Sequence, residues 1–197
     1  MSGMPGAKTY RVSVKRETNG VVSGYINDHL HAGDVLEVSA PRGSFTLGSG
    51  DAPVILLSAG IGATPVLAML HALSSAASGR EVWWIYGARN RAEHPFAKEA
   101  RGLLQLLVHG RSHIVYSKPA SEDKAGVDYD SVGHVDTPLL NQLGVTRDAD
   151  FYLCGPPSFL KQLTEDLKVW GADAARVHTE VFGPGASITP GIAPSSH

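Results

Sequence analysis

The amino-acid sequence predicts an α/β fold in which a five-stranded parallel sheet carries helices on both faces. Five apolar runs recur in the second part of the chain, at residues 53–58, 81–86, 112–116, 150–154 and 176–182. Patterns typical of amphipathic helices separate them, at residues 65–77, 95–108, 136–143 and 157–170. Strands that are apolar throughout and alternate with helices indicate a parallel sheet that is buried on both faces.

Composition excludes several classes of protein. Hydrophobic residues make up 43% of the 197 residues, which is enough for a packed core, and the net charge is −2 with the seventeen Lys and Arg residues scattered. A nucleic-acid-binding surface is therefore not expected. The only cysteine is Cys154, so the chain has no internal disulfide and no Cys-rich iron–sulfur or zinc site, and we predict no metal site. No apolar stretch reaches eighteen residues, so we expect a cytoplasmic protein without a membrane span.

The first fifty residues have a different pattern. Side chains alternate in polarity over residues 9–17 and 34–43, which predicts two strands that each bury one face, and 45–47 continues the second. Between them, residues 24–30 form a short amphipathic pattern with Ser23 as the predicted N-cap. We therefore divide the chain into a partial β domain (1–50), an α/β domain (51–184) and a linker or disordered tail (185–197).

A glycine-containing turn follows the first strand of the predicted sheet. In an open parallel sheet, ligands bind at the carboxyl ends of the strands, where this turn lies. Gly60 and Gly62 would allow a phosphate to approach the backbone, and the next helix would offer free N–H groups. Pro65 stands where the fingerprint G-x-G-x-x-G has its third glycine. We predict that Thr64 caps the helix and that Pro65 is its first residue, although an ordinary strand–helix turn remains an alternative.

Two further strand ends carry chemically informative side chains. Where a dinucleotide-binding fold has an acidic residue after the second strand, this chain has Arg89 and Arg91, which suit a phosphate such as the 2′-phosphate of NADPH. The alternative is a solvated loop. Cys154 ends the fourth strand at the same sheet edge, which favours a site residue over a buried structural cysteine.

Taken in order, these motifs resemble those of the ferredoxin–NADP reductase-like flavin reductases, above all the reductase modules of flavohaemoglobins and ring-hydroxylating oxygenases. The resemblance covers roughly residues 3–184. The matching segments are Y-R-V-S-V-K-R-E (10–17), G-V-V-S (20–23), G-D-V-L-E-V-S-A-P-R-G-S-F (33–45), S-A-G-I-G-A-T-P (58–65), Y-G-A-R (86–89), C-G-P (154–156) and E-V-F-G-P (180–184).

The resemblance implies a fold and a set of site residues. Residues 1–50 would be the second half of a flavin-binding β-barrel, and the cofactors would be FAD, rather than FMN, and NADH or NADPH. Cys154 and Glu180 would be catalytic, with Cys154 near the nicotinamide. The residues expected at the flavin phosphate are Gly20, Val21, Val22 and Ser23. Those expected at the NAD(P)H pyrophosphate are Ala59, Gly60, Ile61, Gly62, Ala63 and Thr64. Those expected at the nicotinamide or flavin ring are Gly155, Pro156, Val181, Phe182, Gly183 and Pro184. Arg89 and Arg91 would lie near the adenosine end.

The resemblance also implies an activity: transfer of a hydride from NAD(P)H to FAD, followed by single-electron transfer to a two-iron ferredoxin, an oxygenase or a haem domain. The Arg-x-Tyr-Ser segment of the family has no match here, which suggests a module truncated at both ends. We therefore expect weak flavin retention, and both an NAD(P)-binding module without turnover and a homodimer through the incomplete barrel remain open. A hydrolase is disfavoured, because Ser158 and Lys161 match S-x-x-K without its partner motifs.

Overall fold

The computed structural model describes residues 1–182, and a parallel sheet with helices on both faces forms its centre. The strands are β1 (Val54–Ala59), β2 (Val82–Ala88), β3 (Gly110–Tyr116), β4 (Ser131–Val132), β5 (Asp150–Gly155) and β6 (Val177–Val181). All neighbouring strands run parallel, in the order β4-β3-β2-β1-β5-β6. The predicted α/β class is confirmed, but the count of five strands is wrong. The additional strand, β4, pairs through only two residues and has no apolar run that would have revealed it.

Five α-helices accompany the sheet. They are α1 (Val21–His29), α2 (Ala63–Ser75), α3 (Ala97–Leu104), α4 (Thr137–Leu143) and α5 (Pro157–Trp170). Local chemistry sets several of their ends. The Asp136 carboxylate accepts a hydrogen bond from the Leu139 amide (2.9 Å) at the start of α4, and Gly144 and Gly171 end α4 and α5 in the left-handed conformation.

Two apolar cores lie on opposite faces of the sheet. Alternate side chains of each strand point to opposite faces, so Leu56 and Ile55 belong to different cores. The first core joins the sheet to α2 and α3, and its helical members include Val66, Leu70 and Leu104. The second joins the sheet to α4 and α5, through Leu140, Leu163 and Leu167 among others. This arrangement explains why the central strands are apolar at every position.

The two strands predicted in the first fifty residues are not formed. Residues 9–17 and 34–43 take part in no β-ladder of the described chain. Their alternation predicts a buried face, yet the side chains of Val35 and Val38 are 95% and 72% exposed. A strand needs a ladder of backbone hydrogen bonds, whereas residues 9–17 receive one from the preceding segment, from the Ser2 amide to the Arg11 carbonyl (3.0 Å). The half-barrel expected for residues 1–50 therefore has no β-ladder in the described structure, and its assignment to this segment stays a prediction.

The N-terminal segment nevertheless contacts the α/β region at defined points. Phe45 and Leu47 pack against the first core, and the Gly48 amide donates a hydrogen bond to the Tyr152 hydroxyl (2.7 Å). Nearer the N-terminus, Arg11 forms an ion pair of 2.8 Å with Glu99 on α3. Within residues 1–182, no helix has the length and apolar content needed to cross a membrane.

Candidate functional site

The strand order of the sheet reverses beside β1, which is where an open α/β sheet forms its ligand-binding crevice. The chain passes from β1 to β2 and β3 on one side and later places β5 on the other side of β1. Loops that leave the carboxyl ends of β1 and β5 therefore diverge, and open α/β sheets bind their ligands at such a point. The loop after β1 contains the glycine turn, and the loop after β5 follows Cys154 and Gly155.

The two glycines of the turn have different structural roles. Gly60 adopts φ +56°, and no atom of the described chain lies within 4 Å of the position that a Cβ would occupy. It therefore combines a left-handed turn with open space on the crevice side. Gly62, by contrast, is buried against the backbone of Cys154 and Gly155, where a Cβ would stand 2.7 Å from the Gly155 nitrogen. The prediction that both glycines make room for a phosphate thus fits Gly60, whereas Gly62 makes room for β5.

The start of α2 differs from the sequence prediction. A 3₁₀ turn spans Gly60–Gly62, Gly62 is the N-cap, and α2 begins at Ala63. The Thr64 hydroxyl donates a hydrogen bond to the Ile61 carbonyl (3.1 Å) and does not cap, so both the predicted cap and the predicted first residue are wrong. Pro65 is the third helical residue. Its missing N–H still falls among the first four amides, which lack intrahelical partners, so Pro65 is compatible with the helix.

Four side chains form one row across four strands below the crevice. Tyr86 pairs in register with Ser58, Ser58 with Cys154, and Cys154 with Glu180. Residues in register on adjacent parallel strands lie about 4.8 Å apart and point to the same face. The fold therefore brings the two predicted catalytic residues, Cys154 and Glu180, side by side, directly beneath the glycine turn.

The Cys154 thiol is enclosed. Its residue has no exposed surface, and it belongs to the first apolar core. Burial, with a smaller contribution from the Glu180 carboxylate, raises the pKa of the Cys154 thiol well above its usual range. The group is therefore a neutral thiol at physiological pH, which excludes a thiolate nucleophile and leaves a compact, weakly polar S–H group.

The segment after Glu180 continues the parallel pairing with the end of β5. The Phe182 amide donates a hydrogen bond to the Gly155 carbonyl (3.0 Å), and the Phe182 side chain packs against the first core. Val181, one residue earlier, is exposed. The predicted site residues Gly183 and Pro184 lie outside the described residues.

Arg89 and Arg91 lie at the carboxyl end of β2 with most of their side-chain surface exposed. Arg89 lies 3.4 Å from the Glu93 carboxylate, and Arg91 lies 3.8 Å from the Asp128 carboxylate. Both residues therefore follow the carboxyl end of β2, the strand next to β1. Weak surface ion pairs of this kind can be exchanged for a stronger anionic ligand.

The residues predicted at the flavin phosphate lie apart from the row. Gly20 precedes α1, and Val21, Val22 and Ser23 are the first three residues of the helix, so Ser23 is not its N-cap. The Ser23 hydroxyl accepts a hydrogen bond from the Glu17 amide (3.2 Å), which draws it into the preceding turn. No hydrogen bond of the described residues joins α1 to the sheet. The start of α1 is exposed, with Val21 and Val22 on the surface of the described structure.

Two buried polar groups of the row were not predicted as site residues. The Ser58 hydroxyl has no hydrogen-bond partner among the described residues. The Tyr86 hydroxyl donates to the Gly60 carbonyl (3.0 Å) and to the Glu93 carbonyl (3.3 Å). Both residues stand in motifs that match the reductase family, yet only the strand register shows that they adjoin Cys154.

Comparisons with known proteins agree with this geometry. Residues 56–165 match the family model described as an oxidoreductase NAD-binding domain. The flavohemoprotein of Bordetella pertussis is 38% identical over 187 residues, covering 93% of this chain and 46% of the relative. The chain thus spans about half the length of the flavohemoproteins that it matches.

Solved structures give the same result. The flavohem-like FAD/NAD-binding domain of nitric oxide dioxygenase from Vibrio cholerae is 35% identical with a TM-score of 0.76, covering 87% of this chain and 70% of that one. A flavohemoglobin from Malassezia yamatoensis, solved with FAD and haem, is 29% identical with a TM-score of 0.58, covering 68% and 32%. These comparisons confirm the resemblance to ferredoxin–NADP reductase-like reductases, and the chain belongs to the family of oxidoreductase NAD-binding domains.

Proposed function

We propose that this chain is the reductase module of a flavin-dependent oxidoreductase. It would bind NADH or NADPH in the switch-point crevice and align the nicotinamide with FAD. The bound cofactors supply hydride transfer followed by release of single electrons. The electron acceptor would be a haem or iron–sulfur partner, as the fusion of similar sequences to haem domains in flavohemoproteins suggests.

The observation that carries this proposal is that the glycine turn lies next to the row of side chains that contains Cys154 and Glu180. Gly60 leaves open space at the start of the turn, and the turn leads into the thirteen-residue helix α2. The positive end of that helix favours a diphosphate. Cys154 lies in register one strand away, on β5, and Glu180 lies in register two strands away, on β6. A dinucleotide held at the turn could thus place its nicotinamide above these two residues.

The residues of the chain would provide binding and orientation. Ala59–Thr64 would hold the pyrophosphate, and Arg89 and Arg91 would border the adenosine. The neutral thiol of Cys154 would limit the position of the nicotinamide without bearing charge, and Glu180 with Val181–Pro184 would border the flavin ring. The start of α1, from Gly20 to Ser23, would contact the flavin phosphate. Alignment of this kind can provide much of the rate enhancement of hydride transfer.

An anaerobic absorbance experiment tests the proposal. Purified protein is mixed with FAD and titrated anaerobically with NADH and separately with NADPH, with FAD and nucleotide alone as the blank. We expect bleaching of the visible flavin absorbance with at least one of them. The difference between the two titrations measures the preference for the 2′-phosphate, and an Arg89→Ala, Arg91→Ala double variant should reduce that preference. Failure of both nucleotides to reduce added FAD or to bind would contradict the reductase assignment.

A nucleotide-binding module without turnover is the second candidate. The exposed start of α1 and the missing β-ladder in residues 1–50 favour it, because a flavin site needs an enclosing barrel. Tight NADH binding measured by calorimetry, without any bleaching of added flavin, would support this function over the first.

A further inference from the structure

The hydroxyl of Tyr86 connects the two loops that border the crevice. Tyr86 is fully buried on β2, below both loops. Its oxygen lies 3.0 Å from the Gly60 carbonyl, at the start of the glycine turn, and 3.3 Å from the Glu93 carbonyl, at the end of the 3₁₀ turn Arg91–Glu93. Two carbonyls from loops 33 residues apart in sequence thus share one hydroxyl donor.

The direction of this hydrogen bond is fixed. Neither carbonyl can donate, so the Tyr86 hydroxyl must carry its proton. Burial, supported by the neighbouring Tyr116 and Glu93 groups, raises the pKa of the Tyr86 hydroxyl far above its usual range. The Tyr86 hydroxyl therefore keeps its proton at neutral pH and can donate to both loops.

The aromatic ring of Tyr86 is held from the side. The His94 ring stacks on it with the centroids 4.7 Å apart and an interplanar angle of 17°. His94 in turn pairs through Nδ1 with the Tyr116 hydroxyl at 3.0 Å. The position of the Tyr86 hydroxyl relative to the sheet is consequently fixed. Because both loops accept a hydrogen bond from it, their positions relative to the sheet are fixed as well.

We propose that Tyr86 is a positioning residue that sets the spacing between the glycine turn and the arginine-containing loop. Because Tyr86 has no exposed surface, it acts through Gly60 and Glu93 and does not touch the ligand itself. The spacing selects ligands that carry a diphosphate and an adenosine together. This inference rests on the proposed function, in which the glycine turn binds the pyrophosphate and the loop with Arg89 and Arg91 borders the adenosine.

The test compares Tyr86→Phe with Tyr152→Phe. Each variant keeps the ring of a fully buried tyrosine and loses its hydroxyl, but only the Tyr86 hydroxyl contacts the two loops, whereas the Tyr152 hydroxyl accepts a hydrogen bond from the Gly48 amide. Binding of ADP-ribose, which spans both loops, and of AMP and inorganic pyrophosphate, which each occupy one, is followed by amide chemical-shift titration. Tyr86→Phe should weaken ADP-ribose binding roughly three- to tenfold, as expected for one lost hydrogen bond, and change the two short ligands less than twofold. Tyr152→Phe should leave the binding of all three ligands unchanged.

Unchanged ADP-ribose binding in Tyr86→Phe would overturn the positioning role. An equal loss in Tyr152→Phe, or an equal loss for the short ligands, would also overturn it, since either result indicates general destabilisation. If the wild-type chain bound none of the three ligands, the proposed function itself would fail, and the inference with it. The wild-type titration therefore separates the two failures.

Discussion

Gly62 lies directly against the backbone of Cys154, so that helix α2 and strand β5 approach each other without an intervening side chain. A Cβ on Gly62 would stand 2.5 Å from the carbonyl carbon of Cys154 and 2.7 Å from the Gly155 nitrogen. In the G-x-G-x-x-G fingerprint, the third glycine permits close packing between helix and strand. Here Gly62 provides such a contact at the first turn, which explains why Pro65 is tolerated three residues later.

This contact predicts that Gly62→Ala is strongly destabilising. The added methyl group would meet backbone atoms that cannot rotate away, so α2 would have to shift, at a cost of about 2 kcal/mol or more in the free energy of unfolding. Gly102→Ala is the matched control, because Gly102 lies within α3 with nothing near the position of its Cβ. That change should stabilise the protein by up to about 1 kcal/mol. Urea unfolding measures both, and equal stability of Gly62→Ala and wild type would disprove the packing role.

The sequence predicted the central sheet well because burial on both faces leaves a strong local signal. β1, β2 and β5 each end within two residues of the predicted apolar runs. β4 left no such signal, since it pairs only through Val115 and Tyr116. Residues 9–17 show the opposite error. Their alternating polarity predicts a strand, but a strand also needs a β-ladder with a second strand, and residues 1–182 form none with this segment.

The sequence predicted individual residues of the candidate site, but it did not predict which of them are neighbours in the fold. Cys154 and Glu180 were identified from motifs, and the strand register brings them together. Ser58 and Tyr86 were not singled out, because their positions beside Cys154 depend on strands that are distant in sequence. The same limit applies to Thr64, where the 3₁₀ turn before the helix moved its start by two residues.

Replacement of Cys154 by Ala should slow hydride transfer while leaving nucleotide affinity nearly unchanged. The thiol is buried beside Glu180 and would define where the nicotinamide lies, and small errors of alignment reduce rates by about tenfold or more. Anaerobic stopped-flow measures the rate, and calorimetry measures NADH binding. Ser158→Ala is the control, since Ser158 is exposed at the same sheet edge. A rate equal to that of wild type would remove Cys154 from the proposed mechanism.

Asp150 should be important for stability. Its carboxylate lies 2.6 Å from Arg80 and 2.9 Å from Arg176, and the Arg80 side chain is only 7% exposed. Arg80 also donates a hydrogen bond to the Gly48 carbonyl (3.2 Å), which ties the segment before β1 to the sheet. Asp150→Ala would leave a buried guanidinium without its carboxylate, and we expect a loss of about 3–5 kcal/mol.

Asp148 provides the control for that experiment. It also pairs with Arg176, but its side chain is 88% exposed, so water can replace the contact. Asp148→Ala should change the free energy of unfolding by less than about 1 kcal/mol. Similar effects of the two substitutions in urea titrations would show that burial of the ion pair does not determine its contribution.

His94 should make the protein less stable in mild acid. Burial, together with the nearby Arg101, lowers the pKa of His94 from 6.5 to about 4, although Asp128 partly opposes the shift. The unfolded chain therefore binds a proton in the range between these values, where the folded protein does not. The contribution of His94 to stability is complete above pH 6.5 and decreases as the pH falls towards 4, by about 2 kcal/mol between pH 7.5 and pH 5.

The variant His94→Gln is the control, because it cannot titrate but keeps a polar partner for Tyr116. Its urea-unfolding free energy should fall less than that of wild type over this range, with the remaining slope due to other groups such as His113, whose pKa burial also lowers. If both proteins lost the same free energy on acidification, protonation of His94 would not be the cause, and the stacking of its ring on Tyr86 would be compatible with the charged form.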